Sequence, residues 1–141
     1  MWPFKPSPEN TALKLTRFRQ LQKALVPPMG ECETWQGEVI RVIGNAEDEA
    51  NRNGFINWDD EDDRDIDLFV QYLCGDDTFD AKKKSRIREI AATIKFSGHD
   101  TEGSSPSDLD WQFMFCCAAD WCDAHKDPIP LRQGGDYVGH Y

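Results

Sequence analysis

Carboxylates are the densest group of chemically active side chains in this sequence. Seven of the nine positions from 59 to 67 are acidic, and two further acids lie upstream at positions 47 and 48. Acids at helical spacing stand about 5–6 Å apart on a helix surface, where their mutual repulsion lowers folding stability. A cost of this kind with no folding benefit indicates a face that attracts a basic partner. The acidic set comprises Glu47, Asp48, Asp59, Asp60, Glu61, Asp62, Asp63, Asp65 and Asp67.

Two alternative interpretations of the acidic set do not involve binding to a partner. Acids in the first turn of a helix interact favourably with its positive end, although two or three would be enough. Alternatively, the acidic set is a solvated surface whose charge is balanced by exposed ion pairs. Each such pair contributes only about 0–1 kcal/mol to folding stability. The balancing cations would be Lys82, Lys83 and Lys84. The sequence leaves binding and solvation both open.

Residues 49–60 resemble the calcium-binding loop of EF-hand proteins. Oxygen-bearing side chains stand at loop positions one, three and five, glycine at six and a β-branched apolar residue at eight. The matching residues are Glu49, Asn51, Asn53, Gly54 and Ile56. The family has Asp at position one and Glu at position twelve, whereas this chain has Glu49 and the shorter Asp60. No second loop accompanies this one, so we interpret it as a turn between helices and predict no metal or other cofactor.

The cysteines do not form a disulfide pattern. They number five, and two of them are adjacent, which favours free thiols in a reducing cytoplasm. Three of them, Cys116, Cys117 and Cys122, lie close to His125 in sequence, which suggests a metal site as an alternative. Two Cys-x-x-Cys pairs would be a strong signal for zinc, and this chain has none. We therefore predict that these thiols are buried among apolar side chains.

No catalytic signature is present in the sequence. The three histidines are scattered, and there is no Gly-x-Ser-x-Gly, no His-Glu-x-x-His and no phosphate-binding loop. We predict that the protein is not an enzyme. A metal-binding or hydrolytic domain that uses the acidic set is the first alternative.

Charge is distributed unevenly along the 141 residues, whose formal net charge is −10. Residues 31–80 hold 16 acidic and three basic side chains, whereas residues 81–95 hold six basic and one acidic. Such an acidic surface repels nucleic acid and attracts basic surfaces, so direct binding to DNA or RNA is disfavoured. No apolar run reaches the ~20 residues of a membrane span, and residues 1–6 do not resemble a signal peptide. The predicted location is the cytoplasm.

Apolar spacing predicts a single all-α domain of about five helices over residues 1–141. The first helix begins at Pro8 and ends before Pro27; the others cover about 34–53, 60–74, 78–96 and 107–125. Residues 34–74 thus form a helix–turn–helix. Residues 1–6 form a terminal segment, 97–106 a mobile loop and 127–141 an irregular tail. A second alternative function, a peripheral membrane adaptor, rests on residues 1–26.

The helix at 107–125 is apolar on nearly every side, so we expect it to lie at the centre. On it, Leu109, Phe113 and Cys116 lie on one arc and Met114 and Trp121 on others, and we place all of these arcs in the core. The predicted core of the other helices comprises Leu15, Phe18, Leu21, Leu25, Trp35, Val39, Val42, Ile43, Ala46, Ala50, Ile66, Phe69, Val70, Leu73, Ile87, Ile90, Ala91 and Ile94.

In size and charge the chain resembles two groups of small acidic inhibitors. One is the immunity proteins, which neutralise toxins, especially nucleases. The other is the anti-restriction and anti-CRISPR proteins, which occupy a nucleic-acid site as nucleic-acid mimics. The resemblance implies a non-enzymatic protein that inhibits a partner with a basic, nucleic-acid-binding surface through a protein–protein interaction.

Overall fold

The computed structural model of the chain describes residues 8–53, 55, 57–99 and 105–131. Five helices follow one another: α1 Pro8–Leu25, α2 Trp35–Asn53, α3 Asp60–Leu73, α4 Ala81–His99 and α5 Asp108–Ala124. No β-strand occurs in these ranges, so the all-α prediction is confirmed. The predicted terminal segment 1–6, residues 100–104 of the predicted loop and residues 132–141 of the predicted tail lie outside the described residues.

Helix α5 is central, as predicted. It packs mainly against α1 and α2 and also contacts α3 and α4. Ser107 is its N-cap and forms a capping box with Asp110, which explains why the helix begins at this point. Its buried residues are Trp111, Met114, Phe115, Cys117, Ala118, Ala119, Trp121 and Cys122.

One arc of α5 does not lie in the core, contrary to the prediction. Leu109 is 69% exposed, and Phe113 and Cys116 are only half-buried. A helix that is apolar nearly all round has no period that distinguishes its faces, so the sequence did not identify the buried side. The larger aromatic residues Trp111 and Trp121 are buried on the other arcs.

The predicted apolar faces of α1 to α4 are confirmed. Most of their residues are buried, and the others pack against the core while remaining partly exposed. The partly exposed ones are Leu15, Leu25, Ala50 and Val70. Gly44 in α2 accommodates α1, because a Cβ at that position would lie 2.7 Å from Nε2 of Gln22.

Both ends of α4 differ from the prediction. It begins later than residue 78, because the Thr78 hydroxyl and N–H donate to Asp76, at 2.6 and 3.0 Å, in a local turn. It continues to His99 and so includes the first three residues of the predicted loop. Gly98 is packed beneath Trp58: a Cβ there would approach the indole ring to 2.5 Å. This tertiary contact keeps a turn-forming sequence helical.

The turn between α2 and α3 is closed by aromatic packing. Phe55 is buried and adopts a positive φ of 66°, an uncommon conformation for a bulky residue. Its ring contacts Trp58 edge-on, with 5.2 Å between centroids, and its N–H donates to the Glu49 carbonyl at 3.3 Å. Gly54 and Ile56, two positions of the EF-hand resemblance, lie outside the described residues.

The first residues of the predicted tail are irregular but held in place. The buried Gln36 amide donates to the carbonyls of His125 and Asp127, at 2.7 and 2.9 Å. Its oxygen accepts the Ile129 N–H at 3.0 Å. The Trp35 N–H donates to the Ile129 carbonyl at 2.8 Å, which fixes this segment against the start of α2.

Candidate functional site

The acidic set does not act as a single block of free charge. Asp59 is the N-cap of α3, where its Oδ1 accepts the N–H groups of Glu61 and Asp62 at 3.0 and 3.1 Å. Asp62 completes the capping box, since its Oδ2 accepts the Asp59 N–H at 2.9 Å. These two carboxylates therefore stabilise the start of the helix.

Asp63 links three elements. Its Oδ1 accepts the Trp58 indole N–H at 2.9 Å, and its Oδ2 lies 2.7 Å from Nε2 of His99 at the end of α4. Partial burial opposes ionisation of this carboxyl, but the hydrogen bonds from Trp58 and His99 prevail and hold its pKa below the usual value. Asp63 is thus a structural carboxylate, although the sequence assigned it to the binding face.

Three other members of the acidic set form ion pairs within the chain. Asp65 lies 3.1 Å from the Arg41 guanidinium, and Asp67 lies 2.6 Å from the Lys95 ammonium. Asp48 pairs with Arg52, one turn later on α2, at 3.4 Å. The Lys82–Lys84 cluster, which the sequence suggested as the balancing cations, does not supply the partners in these three ion pairs. Asp59 and Asp62 are engaged in the capping box, and the remaining three members, Glu47, Asp60 and Glu61, have no ion-pair partner among the described residues.

An acidic groove lies between the α1–α2 loop and α3. Its volume is about 540 Å³, and among the described residues four carboxylates line it together with one guanidinium, that of Arg41. The carboxylates belong to Glu31, Glu38, Glu61 and Asp65, and the remaining lining residues are Gly30, Cys32 and Leu131. The groove therefore brings two members of the predicted set together with two acids that the sequence did not single out.

Arg41 organises one wall of the acidic groove. Its Nε and Nη2 each donate to a Glu38 carboxylate oxygen at 2.8 Å, and Nη2 also contacts Asp65. The hydrogen bonds to Glu38 outweigh burial and raise the pKa of Arg41 further. Burial raises the pKa of Asp65, an effect that the charge of Arg41 opposes. Arg41 thus forms ion pairs with two of the four lining carboxylates. The other two, Glu31 and Glu61, have no ion-pair partner among the described residues and give the groove its negative charge.

The described residues contain one group of three possible metal-ligating side chains. One ligand atom from each of Asp60, Asp63 and His99 lies within 4.8 Å of the others. Both carboxylate oxygens of Asp63 are already hydrogen-bonded, one to Trp58 and the other to His99. These hydrogen bonds explain the position of Asp63 without a metal ion. Glu49, at the first position of the EF-hand resemblance, is not a member of the group.

The cysteine and histidine residues near the end of α5 do not converge on one point. Burial raises the pKa values of Cys117 and Cys122 to about 12, so both are neutral thiols, and Cys122 donates to the Gln36 carbonyl at 3.7 Å. The His125 ring stacks on Trp121, and its Nε2 lies 2.6 Å from Asp76. The predicted burial of these thiols is confirmed for Cys117 and Cys122, while Cys116 is half-buried.

The fold and the groove define this chain as a small all-α protein with an acidic concave surface. Comparison with protein-family models, with curated proteins and with solved structures finds no match for it. Within the described ranges, none of the helices combines the length and apolar character required to cross a lipid bilayer.

Proposed function

We propose that this chain is a small non-enzymatic binding protein that inhibits or neutralises a partner by covering its basic surface. The acidic groove carries this proposal, because its described lining has four carboxylates and one guanidinium in a concavity of about 540 Å³. Glu47 and Asp60, outside the groove, add exposed or half-exposed charge on the same pair of helices.

An arginine side chain from the partner suits this groove chemically. The planar guanidinium binds carboxylates through paired hydrogen bonds, and Arg41 already binds Glu38 in this manner. Glu31 and Glu61 line the same groove without an ion-pair partner among the described residues. They are the acceptors that an incoming cation would meet.

A nucleic-acid-binding protein is the class of partner that this charge favours. A surface that binds phosphates is rich in Lys and Arg, and acidic side chains complement it while they repel nucleic acid itself. Immunity proteins and anti-restriction or anti-CRISPR inhibitors resemble this chain in size and charge, and blocking a basic site would be their shared mode of action. The odd number of cysteines supports a cytoplasmic location for the encounter.

An octa-arginine peptide provides a direct probe of the groove. Removing charge with Glu31→Gln and Glu61→Gln should weaken peptide binding by about tenfold, since each exposed pair contributes up to about 1 kcal/mol. The matched control is Asp77→Asn with Asp127→Asn, which removes the same charge from exposed residues outside the groove. Isothermal titration calorimetry at low salt measures all three affinities.

Two further results of this titration bear on the proposal. Raising the salt concentration to physiological strength should weaken binding to the parent more than to the groove variant, because exposed charges are screened over about 8 Å. Equal losses of affinity in the groove variant and the control would mean that only net charge matters, and the groove would then have no special role.

Divalent-cation binding is a second candidate function, favoured by the proximity of Asp60, Asp63 and His99. It corresponds to a metal-binding or hydrolytic domain that uses the acidic set. The leading proposal predicts that millimolar Ca²⁺, Mn²⁺ or Zn²⁺ leaves the melting temperature unchanged. A rise of several degrees that EDTA reverses, and that His99→Ala abolishes, would favour the second candidate.

A further inference from the structure

A second groove lies on a different part of the molecule. Its volume is about 880 Å³, and its walls come from α1, α4 and α5. It shares no lining residue with the acidic groove. Its size falls in the range of about 300–1,000 Å³ that is typical of small-molecule sites. We call it the α4–α5 groove.

The α5 wall of this groove is apolar. It includes Leu109, which is 69% exposed, and the half-buried Phe113 and Cys116. Burial raises the pKa of the Cys116 thiol, which is therefore neutral and apolar in character. Large apolar side chains gathered in one concavity indicate a ligand with an apolar body.

The opposite wall carries positive charge that the fold does not neutralise. Among the described residues four cations line the groove, and two of them form ion pairs: Lys14 with Asp120 at 2.9 Å and Arg86 with Asp110 at 3.7 Å. Arg86 lies over the Phe113 ring at 4.1 Å from its centroid. The exposed Lys82 and Lys83 form no ion pair within the described part of the chain.

None of the lining carboxylates forms an ion pair with these two lysines. The described residues supply three, and Asp120 is already bound to Lys14. Asp80 accepts the Lys83 backbone N–H at 2.8 Å and so caps the start of α4. Glu89 is exposed on α4, and neither it nor Asp80 lies within ion-pair distance of Lys82 or Lys83. The groove therefore combines an apolar wall with unpaired cations, on a molecule whose net charge is −10.

We propose that the α4–α5 groove binds an anionic amphiphile of the fatty-acid class. The apolar body of the ligand covers Leu109 and Phe113, and its carboxylate pairs with Lys82 and Lys83. An anion is repelled by most of this acidic surface, so the basic wall of α4 is where attraction is strongest. This site is independent of the acidic groove and does not require the proposed function.

Laurate, below its micellar concentration, is the probe for the apolar wall, used with the full-length chain. Leu109→Gln should weaken laurate binding by about tenfold, since a buried leucine side chain contributes roughly that factor. Leu13→Gln is the matched control: Leu13 is also 69% exposed but does not line the groove. Calorimetry measures the affinities, and ¹H–¹⁵N spectra identify the amides that shift.

The basic wall is tested by a second pair of variants. Lys82→Gln with Lys83→Gln should weaken laurate binding several-fold and leave the weaker binding of uncharged dodecanol unchanged. Lys23→Gln with Lys126→Gln removes the same charge from exposed positions outside the groove and should have little effect. Equal effects of the two pairs would show that the head group is not held by Lys82 and Lys83, and would overturn the proposal.

Three other outcomes would also overturn it. The first is the absence of laurate binding to the parent chain up to about 1 mM, which corresponds to a binding free energy near −4 kcal/mol. The second is an equal loss of binding in Leu13→Gln and Leu109→Gln. The third is binding that is seen only after Trp2→Ser and Phe4→Ser, which would assign the groove to residues 1–7 of the chain itself.

Discussion

Asp63 shows how an acid in a charged run can serve the fold. Its carboxylate joins Trp58, which precedes α3, to His99 at the end of α4. The sequence placed Asp63 on a helix surface with eight other acids and gave no sign of either contact, because both donors depend on how α3 and α4 pack. Charge patterning alone therefore does not distinguish carboxylates that the fold uses from those that it leaves unpaired, and which of them bind a partner stays a prediction.

The structural role of Asp63 predicts a stability loss in Asp63→Asn. Losing the charge on a hydrogen-bonded, partly buried carboxylate should lower the free energy of unfolding by about 1 kcal/mol at neutral pH. Asp60→Asn is the control, since Asp60 is exposed and belongs to the same helical turn. Urea denaturation of both variants and the parent measures the difference.

The pH dependence of that difference has a definite sign. The pKa of Asp63 in the folded state lies below its ordinary value of 3.8. The contribution of ionised Asp63 to the free energy of unfolding is therefore fully present above pH 3.8 and disappears as the pH falls through the lowered pKa. The gap between the parent and Asp63→Asn should close only under acidic conditions. A gap that is constant down to the lowest pH would show that the charge is irrelevant.

Phe113 and Met114 are neighbours in sequence with opposite environments. Phe113 is half-buried on the wall of the α4–α5 groove, whereas Met114 is fully buried. Phe113→Ala should cost about 1–2 kcal/mol and Met114→Ala about 2–5 kcal/mol, because only the second leaves a cavity in the core. If chemical denaturation gives the larger loss for Phe113→Ala, the groove is closed in solution.

At the scale of the helices, the sequence predicted what local patterns determine. Periodic apolar positions identified α1 to α4 and their buried faces, and the capping residue Ser107 located the start of α5. The sequence predictions failed where tertiary contacts determine the length of a helix or the face that it buries. Trp58 extends α4 through Gly98, and the placement of α1 and α4 decides which arc of α5 is exposed.

The contact between α4 and Trp58 predicts an unusual effect for Gly98→Ala. Alanine favours a helix interior over glycine by about 1 kcal/mol, yet its Cβ would lie 2.5 Å from the Trp58 ring. We expect the overlap to prevail and the variant to lose about 1–3 kcal/mol. Thermal unfolding of Gly98→Ala in the parent and in a Trp58→Ala background provides the double-mutant cycle. Equal effects in the two backgrounds would show that Trp58 does not restrict residue 98.

The acidic groove was only partly predictable for the same reason. Glu61 and Asp65 belong to the acidic set, but Glu31 and Glu38 lie more than twenty residues earlier in the chain. Their proximity depends on how the α1–α2 loop passes α3, which no local pattern encodes. The excess of acids across residues 31–80 was the one signal that included them.

On the scale of the whole molecule, some carboxylates hold the fold together and others are left without an ion-pair partner among the described residues. The carboxylates of Asp59, Asp62 and Asp63 hold the start of α3 and its contacts, so neutralising them would disturb the fold as well as any binding. Glu31 and Glu61 line the acidic groove without such roles. They are therefore the positions at which binding and folding can be separated by experiment.

The proposed binding of a basic protein in the acidic groove is tested most directly by crosslinking. Placing a photo-crosslinking amino acid at position 61 and, in a matched variant, at the exposed position 77 tests it inside cells of the source organism. Mass spectrometry of the crosslinked species then identifies what lies against each surface. We expect position 61 to capture a protein with a basic, nucleic-acid-binding surface, position 77 not to capture it, and Glu31→Gln to reduce the capture. Capture of the same proteins from both positions, or of an acidic protein from position 61, would contradict it.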